Sequence, residues 1–142
     1  MVIDSSAILA ILFEEHDAAL YASAIEAETV RLMSASTAVE ICIVVLARQG
    51  PEGLLNWADL KDTVEIEIVP FTERHAELAI NGFATYGKGR HRARLNFGDC
   101  CAYAAAIDLG EPLLFKGGDF HLTDVEVAPL PADVPGLHDG DQ

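Results

Sequence analysis

The chain opens with MVIDSSAILAILF at residues 1–13, and this stretch decides the fold. Val2 and Ile3 form an apolar pair suited to a strand buried on both faces, whereas the Ala- and Leu-rich run after Ser6 favours a helix. Asp4 and Ser5 stand between them, and either side chain can cap the helix that follows. The segment therefore reads as a strand over Met1 to Asp4 and a helix over 6–13. The alternation continues outward. Asp17 is suited to cap a helix to Glu28, with Ala18, Tyr21, Ala22 and Ile25 on one face, before a strand over Val30 to Met33. A helix from Ser36 repeats Val39, Cys42, Ile43 and Leu46 at helical spacing and stops at Gly50 and Pro51. A helix over 51–62 and a strand over 64–69 follow; Ile66 and Ile68 alternate there with Glu65 and Glu67, as at a sheet edge. Thr72 caps a helix to Tyr86, residues 87–97 form a loop, and a small-residue helix runs from Asp99 to Leu109. Strands over 113–115 and 125–127 close the set.

Such alternation predicts an α/β domain of three layers, α/β/α, with a central, mostly parallel sheet covered by helices on both faces. It is expected to occupy residues 1–130, followed by an acidic tail containing Pro and Gly at 131–142. No run is long enough for a membrane span or a secretory leader, so the expected location is cytoplasmic, with no membrane partner.

Nine Lys and Arg against 23 Asp and Glu give a formal charge of −14, the wrong sign for a broad nucleic-acid-binding face. Four of the nine cations nevertheless fall together, at Lys88, Arg90, Arg92 and Arg94, and are candidate contacts for RNA phosphates. Cys42, Cys100 and Cys101 show no zinc-ligand spacing and are expected to be reduced core thiols. The five histidines, at 16, 75, 91, 121 and 138, show no ligand spacing either and are expected at the surface.

The acids carry the chemistry. Glu40 stands alone among uncharged residues from Ala38 to Ala47, where an unpartnered charge would be costly. Asp4 and Asp119 follow expected strands and Asp99 opens a helix, so all three can reach the carboxyl-end rim of a parallel sheet, where such folds place their sites. Carboxylates gathered there repel one another unless a cation relieves them, and oxygen-only ligands favour Mg²⁺ or Mn²⁺. Asp4, Glu40, Asp99 and Asp119 are thus expected as metal ligands and catalytic residues, with Ser6 and Thr123 as candidate supports. Such ions support hydrolysis of a phosphodiester without a covalent nucleophile.

Taken in order, Val2 to Ala7, Ala38 to Glu40, Leu95 to Cys100 with Tyr103 and Ala104, and Phe115 to Phe120 make the chain resemble the PIN-domain ribonucleases, in particular the VapC toxins. The resemblance spans nearly the whole chain. It implies a Mg²⁺- or Mn²⁺-dependent endoribonuclease that cuts transfer or ribosomal RNA and so inhibits translation. It also implies a homodimer held inactive by a VapB-type antitoxin, with operator DNA bound only through that antitoxin. The four acids match the motif; Gly118 departs from it, where relatives often carry a polar residue.

Two other functions fit a small acidic α/β domain: a receiver-like phosphorylation module and a non-catalytic interaction domain. A receiver would want paired acids after the first strand, where this chain has one. The full set of acids argues against a decayed scaffold. Trp57 is the candidate aromatic anchor for an antitoxin or dimer contact.

Overall fold

The computed structural model describes residues 1–132. Its elements are β1 (Val2–Ile3), α1 (Ser5–Leu12), α2 (Ala18–Glu26), β2 (Leu32–Ser34), α3 (Ala35–Gln49), α4 (Pro51–Thr63), β3 (Glu67–Val69), α5 (Glu73–Tyr86), α6 (Phe97–Leu109) and β4 (Leu113–Leu114), then a 3₁₀ turn at Asp119–Leu122. The four strands form one parallel sheet in the order β3-β2-β1-β4. Parallel neighbours need crossovers, and the helices supply them.

Strand β1 is central, and its two residues face opposite layers because side chains alternate along a strand. Ile3 joins a core with Ile8, Ile25, Ile41, Val45 and Trp57 from α1 to α4. Val2 joins a second core with Cys100, Tyr103 and Ala106 of α6, against which Ala79 and Tyr86 of α5 pack. The expected three-layer arrangement is therefore present, and β3 lies at the edge as its alternating pattern implies.

Several local expectations are corrected. Asp17 makes no capping hydrogen bond to α2, because its carboxylate is held by Lys116 at 2.9 Å. The third strand starts only at Glu67, since Val64 and Glu65 turn the chain and Glu65 takes a positive φ of 53°. Residues 125–127 make an isolated bridge, Val127 to Leu113, rather than a strand. Helix α3 faces the core with Thr37, Ile41 and Val45, while Val39, Ile43 and Leu46 are exposed. Trp57, 5% exposed, is a core residue and no partner anchor. His75 is not at the surface: it is 2% exposed, and its Nε2 lies 2.8 Å from Asp108 Oδ2 across α5 and α6. The expected tail lies, from residue 133, outside the described residues, as does His138.

Candidate active site

The carboxyl end of β1 delivers Asp4 directly into the N-cap of α1. Its Oδ2 accepts hydrogen bonds from the Ser6 backbone N–H at 3.1 Å and the Ser6 hydroxyl at 2.6 Å. Ser6 Oγ in turn accepts the Lys116 N–H at 2.9 Å, tying the end of β4 to the same acid. Asp4 is 3% exposed, and its Oδ1 has no hydrogen-bond partner. Burial is the main cause pushing its pKa up to about 7; the Ser6 bonds oppose it, and the charges of Asp99 and Glu40 add to it.

Asp99 is at the third position of α6. Asn96 and Asp99 form a reciprocal capping box: the Asp99 N–H donates to Asn96 Oδ1, and the Asn96 N–H donates to Asp99 Oδ2, both at 2.9 Å. This fixes the carboxyl group while engaging only one of its oxygens. Burial raises the pKa of Asp99 most, the Asn96 bond lowers it, and Asp119 and Glu40 raise it again.

Glu40, half-buried on α3, reaches the N-terminus of α6 over Gly98. A Cβ at Gly98 would stand 2.1 Å from Glu40 Oε2, so no other residue fits there without moving that carboxylate. Asp119 opens the 3₁₀ turn after Gly117 and Gly118 and is exposed. Asp4 thus feels Glu40 and Asp99, and Asp99 feels Glu40 and Asp119. The four acids form one electrostatic group. Among the described residues no three His, Cys, Asp or Glu side chains are arranged as a ready-made metal cage. The donor chemistry does fit a hard divalent cation: the four acids offer carboxylate oxygens, and Asp4 Oδ1 is buried without a partner.

The other sequence candidates divide. Ser6 touches Asp4, as above. Thr123 does not touch an acid; its hydroxyl donates to the Phe120 carbonyl at 2.8 Å and accepts from the Val125 N–H at 3.3 Å, closing the turn after Asp119. Lys88, Arg90, Arg92 and Arg94 are exposed and form no salt bridge among the described residues. Their segment is anchored by buried Ala93 and Leu95 and by the Gly87–Leu95 bridge, and leads directly into Asn96.

Three residues of the Leu95 to Cys100 motif had no individual role from the sequence. Asn96, three positions before Asp99, carries a visible capping-box spacing. Gly98 as the seat of Glu40 required the packing of α3 on α6. Phe97, 81% exposed beside the acids, has no periodic signal because it faces solvent.

Residues 1–126 match the PIN domain family. The chain is 43% identical to ribonuclease VapC30 of Mycobacterium tuberculosis over 131 residues, covering 92% of this chain and all of that protein. It is 46% identical to ribonuclease VapC28 of the same organism over 129 residues, 90% of this chain and 97% of the relative. Its fold is similar to the crystal structure of M. tuberculosis VapC20, described as a sarcin-ricin loop cleaving toxin, with a TM-score of 0.72 at 19% identity over 90% of this chain and 98% of that one. A toxin-antitoxin complex from Klebsiella pneumoniae also contains a similar fold, with a TM-score of 0.63 at 16% identity, covering 87% and 92%.

Proposed function

The chain belongs to the PIN-domain family, and from that premise we propose that it is a Mg²⁺- or Mn²⁺-dependent endoribonuclease, the toxin of a type II toxin-antitoxin pair. Asp4 carries the reading: a carboxylate oxygen buried without a partner, among acids whose charges reach it, is destabilised as an anion unless a cation binds. Asp4, Glu40, Asp99 and Asp119 would hold the ion, directly or through water. Once bound, it would neutralise charge on the phosphodiester and orient the attacking water for in-line displacement.

The chain's own residues prepare that chemistry. Ser6 occupies Asp4 Oδ2 and leaves Oδ1 free, Asn96 fixes the rotamer of Asp99, and Gly98 admits Glu40. The exposed cations at 88, 90, 92 and 94 supply phosphate contacts beside the acids in a chain whose overall charge repels RNA. Structured RNA is the substrate class; the description of VapC20 makes ribosomal RNA a natural test, alongside transfer RNA.

The antitoxin, of VapB type, would place its C-terminal segment in the acidic site, and operator DNA would be bound through that partner, consistent with the charge of −14. A homodimer would cover exposed Val39, Ile43, Ile80, Phe83 and Phe97, a belt across α3, α6 and α5. The protein would act in the cytoplasm; among the described residues no helix is long and apolar enough to cross a membrane. A receiver-like role is disfavoured because Lys116, the lysine near the acids, is engaged by Glu15 and Asp17.

Purified protein without its partner, incubated with cellular RNA and Mn²⁺, is expected to release discrete fragments, and Asp99→Asn or EDTA to abolish them. Intact RNA in the wild-type reaction, with tight binding of a protein partner, would favour the non-catalytic scaffold.

A further inference from the structure

Asp119 differs from the other three acids in how it is held. It follows two glycines; Gly117 has a φ of +107°, and a Cβ at either position would meet nothing within 4 Å. The upstream limb of the turn therefore gives Asp119 little restraint, and the downstream limb must supply it. Phe120 is buried against Phe115, with ring centroids 5.0 Å apart, and Thr123 closes the turn onto the Phe120 carbonyl. The next residue, Asp124, accepts a hydrogen bond at 2.7 Å from the hydroxyl of Tyr103.

Tyr103 is one helical turn past Asp99 on α6 and is 7% exposed. Its ring lies on Gly82 of α5, where a Cβ would come within 2.8 Å of the ring, and stands edge-on to Tyr86 with centroids 6.0 Å apart. The hydroxyl therefore sits on a ring that packing immobilises. A bond from a fixed phenol to a carboxylate restricts its partner more than a bond between two mobile surface groups. Among the described residues, this is the side-chain hydrogen bond joining the downstream limb to the helix that carries Asp99.

We propose that Tyr103 is a positioning residue: through Asp124 it fixes the turn that presents Asp119 to Asp4, Glu40 and Asp99. The inference rests on the ribonuclease reading above and extends it to a residue that does not touch substrate or ion. Tyr103 and Asp124 act as one unit, so their removal is not additive.

The test compares Tyr103→Phe, Asp124→Ala, the double variant and Asp124→Asn, whose amide oxygen still accepts the phenol. Three quantities are read: kcat and KM on an RNA substrate with saturating Mn²⁺, the Kd for Mn²⁺ alone by calorimetry, and Tm. Tyr103→Phe and Asp124→Ala are each expected to lower kcat and weaken Mn²⁺ about tenfold, the scale of one lost charge-assisted bond, with RNA KM unchanged. The double variant should be no worse than either single, and Asp124→Asn should stay within about twofold of wild type. A lowered Tm with wild-type kcat and Mn²⁺ affinity would make the bond merely structural and overturn the proposal. If the wild type binds Mn²⁺ but cuts no RNA, while Tyr103→Phe still weakens Mn²⁺, the ribonuclease reading fails and the positioning role stands. If the wild type neither binds Mn²⁺ nor cuts RNA, both fall.

Discussion

Gly98 is the residue on which the arrangement of the site is most exposed to a single atom. Helix propensity favours alanine over glycine, by up to about 1 kcal/mol in a helix interior and by less in the first turn, where Gly98 stands. Yet a Cβ would collide with Glu40 Oε2, the far end of a flexible side chain that can swing away. Gly98→Ala is therefore expected to remain folded, with Tm unchanged or slightly raised, while losing at least about tenfold in kcat as Glu40 leaves the other acids. Wild-type kcat in that variant would remove Glu40 from the catalytic set. The same contact explains how an acid comes to stand in an apolar stretch: Glu40 is neither core nor solvated helix surface, but lies across a gap left by a missing side chain.

At the scale of elements, the loop from Gly87 to Asn96 joins opposed tendencies. Ala93 and Leu95 sink into the core, His91 packs edge-on against Tyr86 at 5.2 Å, and the cations between them stay in water. The segment is thus a braced arm rather than a loose flap. Neutralising Arg90, Arg92 and Arg94 together should raise RNA KM and reduce the salt slope of binding by up to about 3, with kcat little changed. An unaltered salt dependence, measured by anisotropy titration at several ionic strengths, would make the arm a bystander. Elements were legible where a local signal and burial agreed: β1, the alternation of β3 and the stop at Gly50 all follow from nearest neighbours. They were misread where periodicity is shared by two faces. On α3 both Thr37, Ile41, Val45 and Val39, Ile43, Leu46 recur at helical spacing, and only the packing against α1 and α4 selects the first set. His75 looked like a surface residue because its partner, Asp108, lies 33 residues away.

Over the whole molecule, charge sets the response to pH. Asp4, buried at the end of the central strand, holds its proton to about pH 7 in the folded metal-free protein, whereas the unfolded chain releases it near 3.8. The folded state then binds more protons than the unfolded one between these values, so this group's contribution to stability falls as pH rises through the window and is constant above it. Asp99, also raised, acts in the same sense. Asp108 acts oppositely: the His75 bond is the main cause holding it below 3.8, so its contribution is lost only as pH falls beneath that window. In EDTA, the Tm of the wild type relative to Asp4→Asn should fall between pH 4 and 7. A parallel pair of curves would mean that Asp4 is not buried as an unrelieved acid.

The alternation of strands and helices was readable from the sequence because it is written in short segments, and so was the placement of Asp4, Asp99 and Asp119 at element ends and of Glu40 alone in an apolar run; their joint role as ligands is the proposal. Of their neighbours only Ser6, two residues from Asp4, was legible; Ser6 to Lys116, Glu40 to Gly98 and Tyr103 to Asp124 are contacts that exist only after the sheet has brought distant segments together. The convergence of the acids on one cation is what the whole account requires. Crystals of the protein grown with Mn²⁺ and measured at the manganese absorption edge should show an anomalous peak bounded by Asp4 Oδ1 and Asp99, within reach of Glu40 and Asp119. A peak on another surface, or none with millimolar Mn²⁺ present, would contradict it.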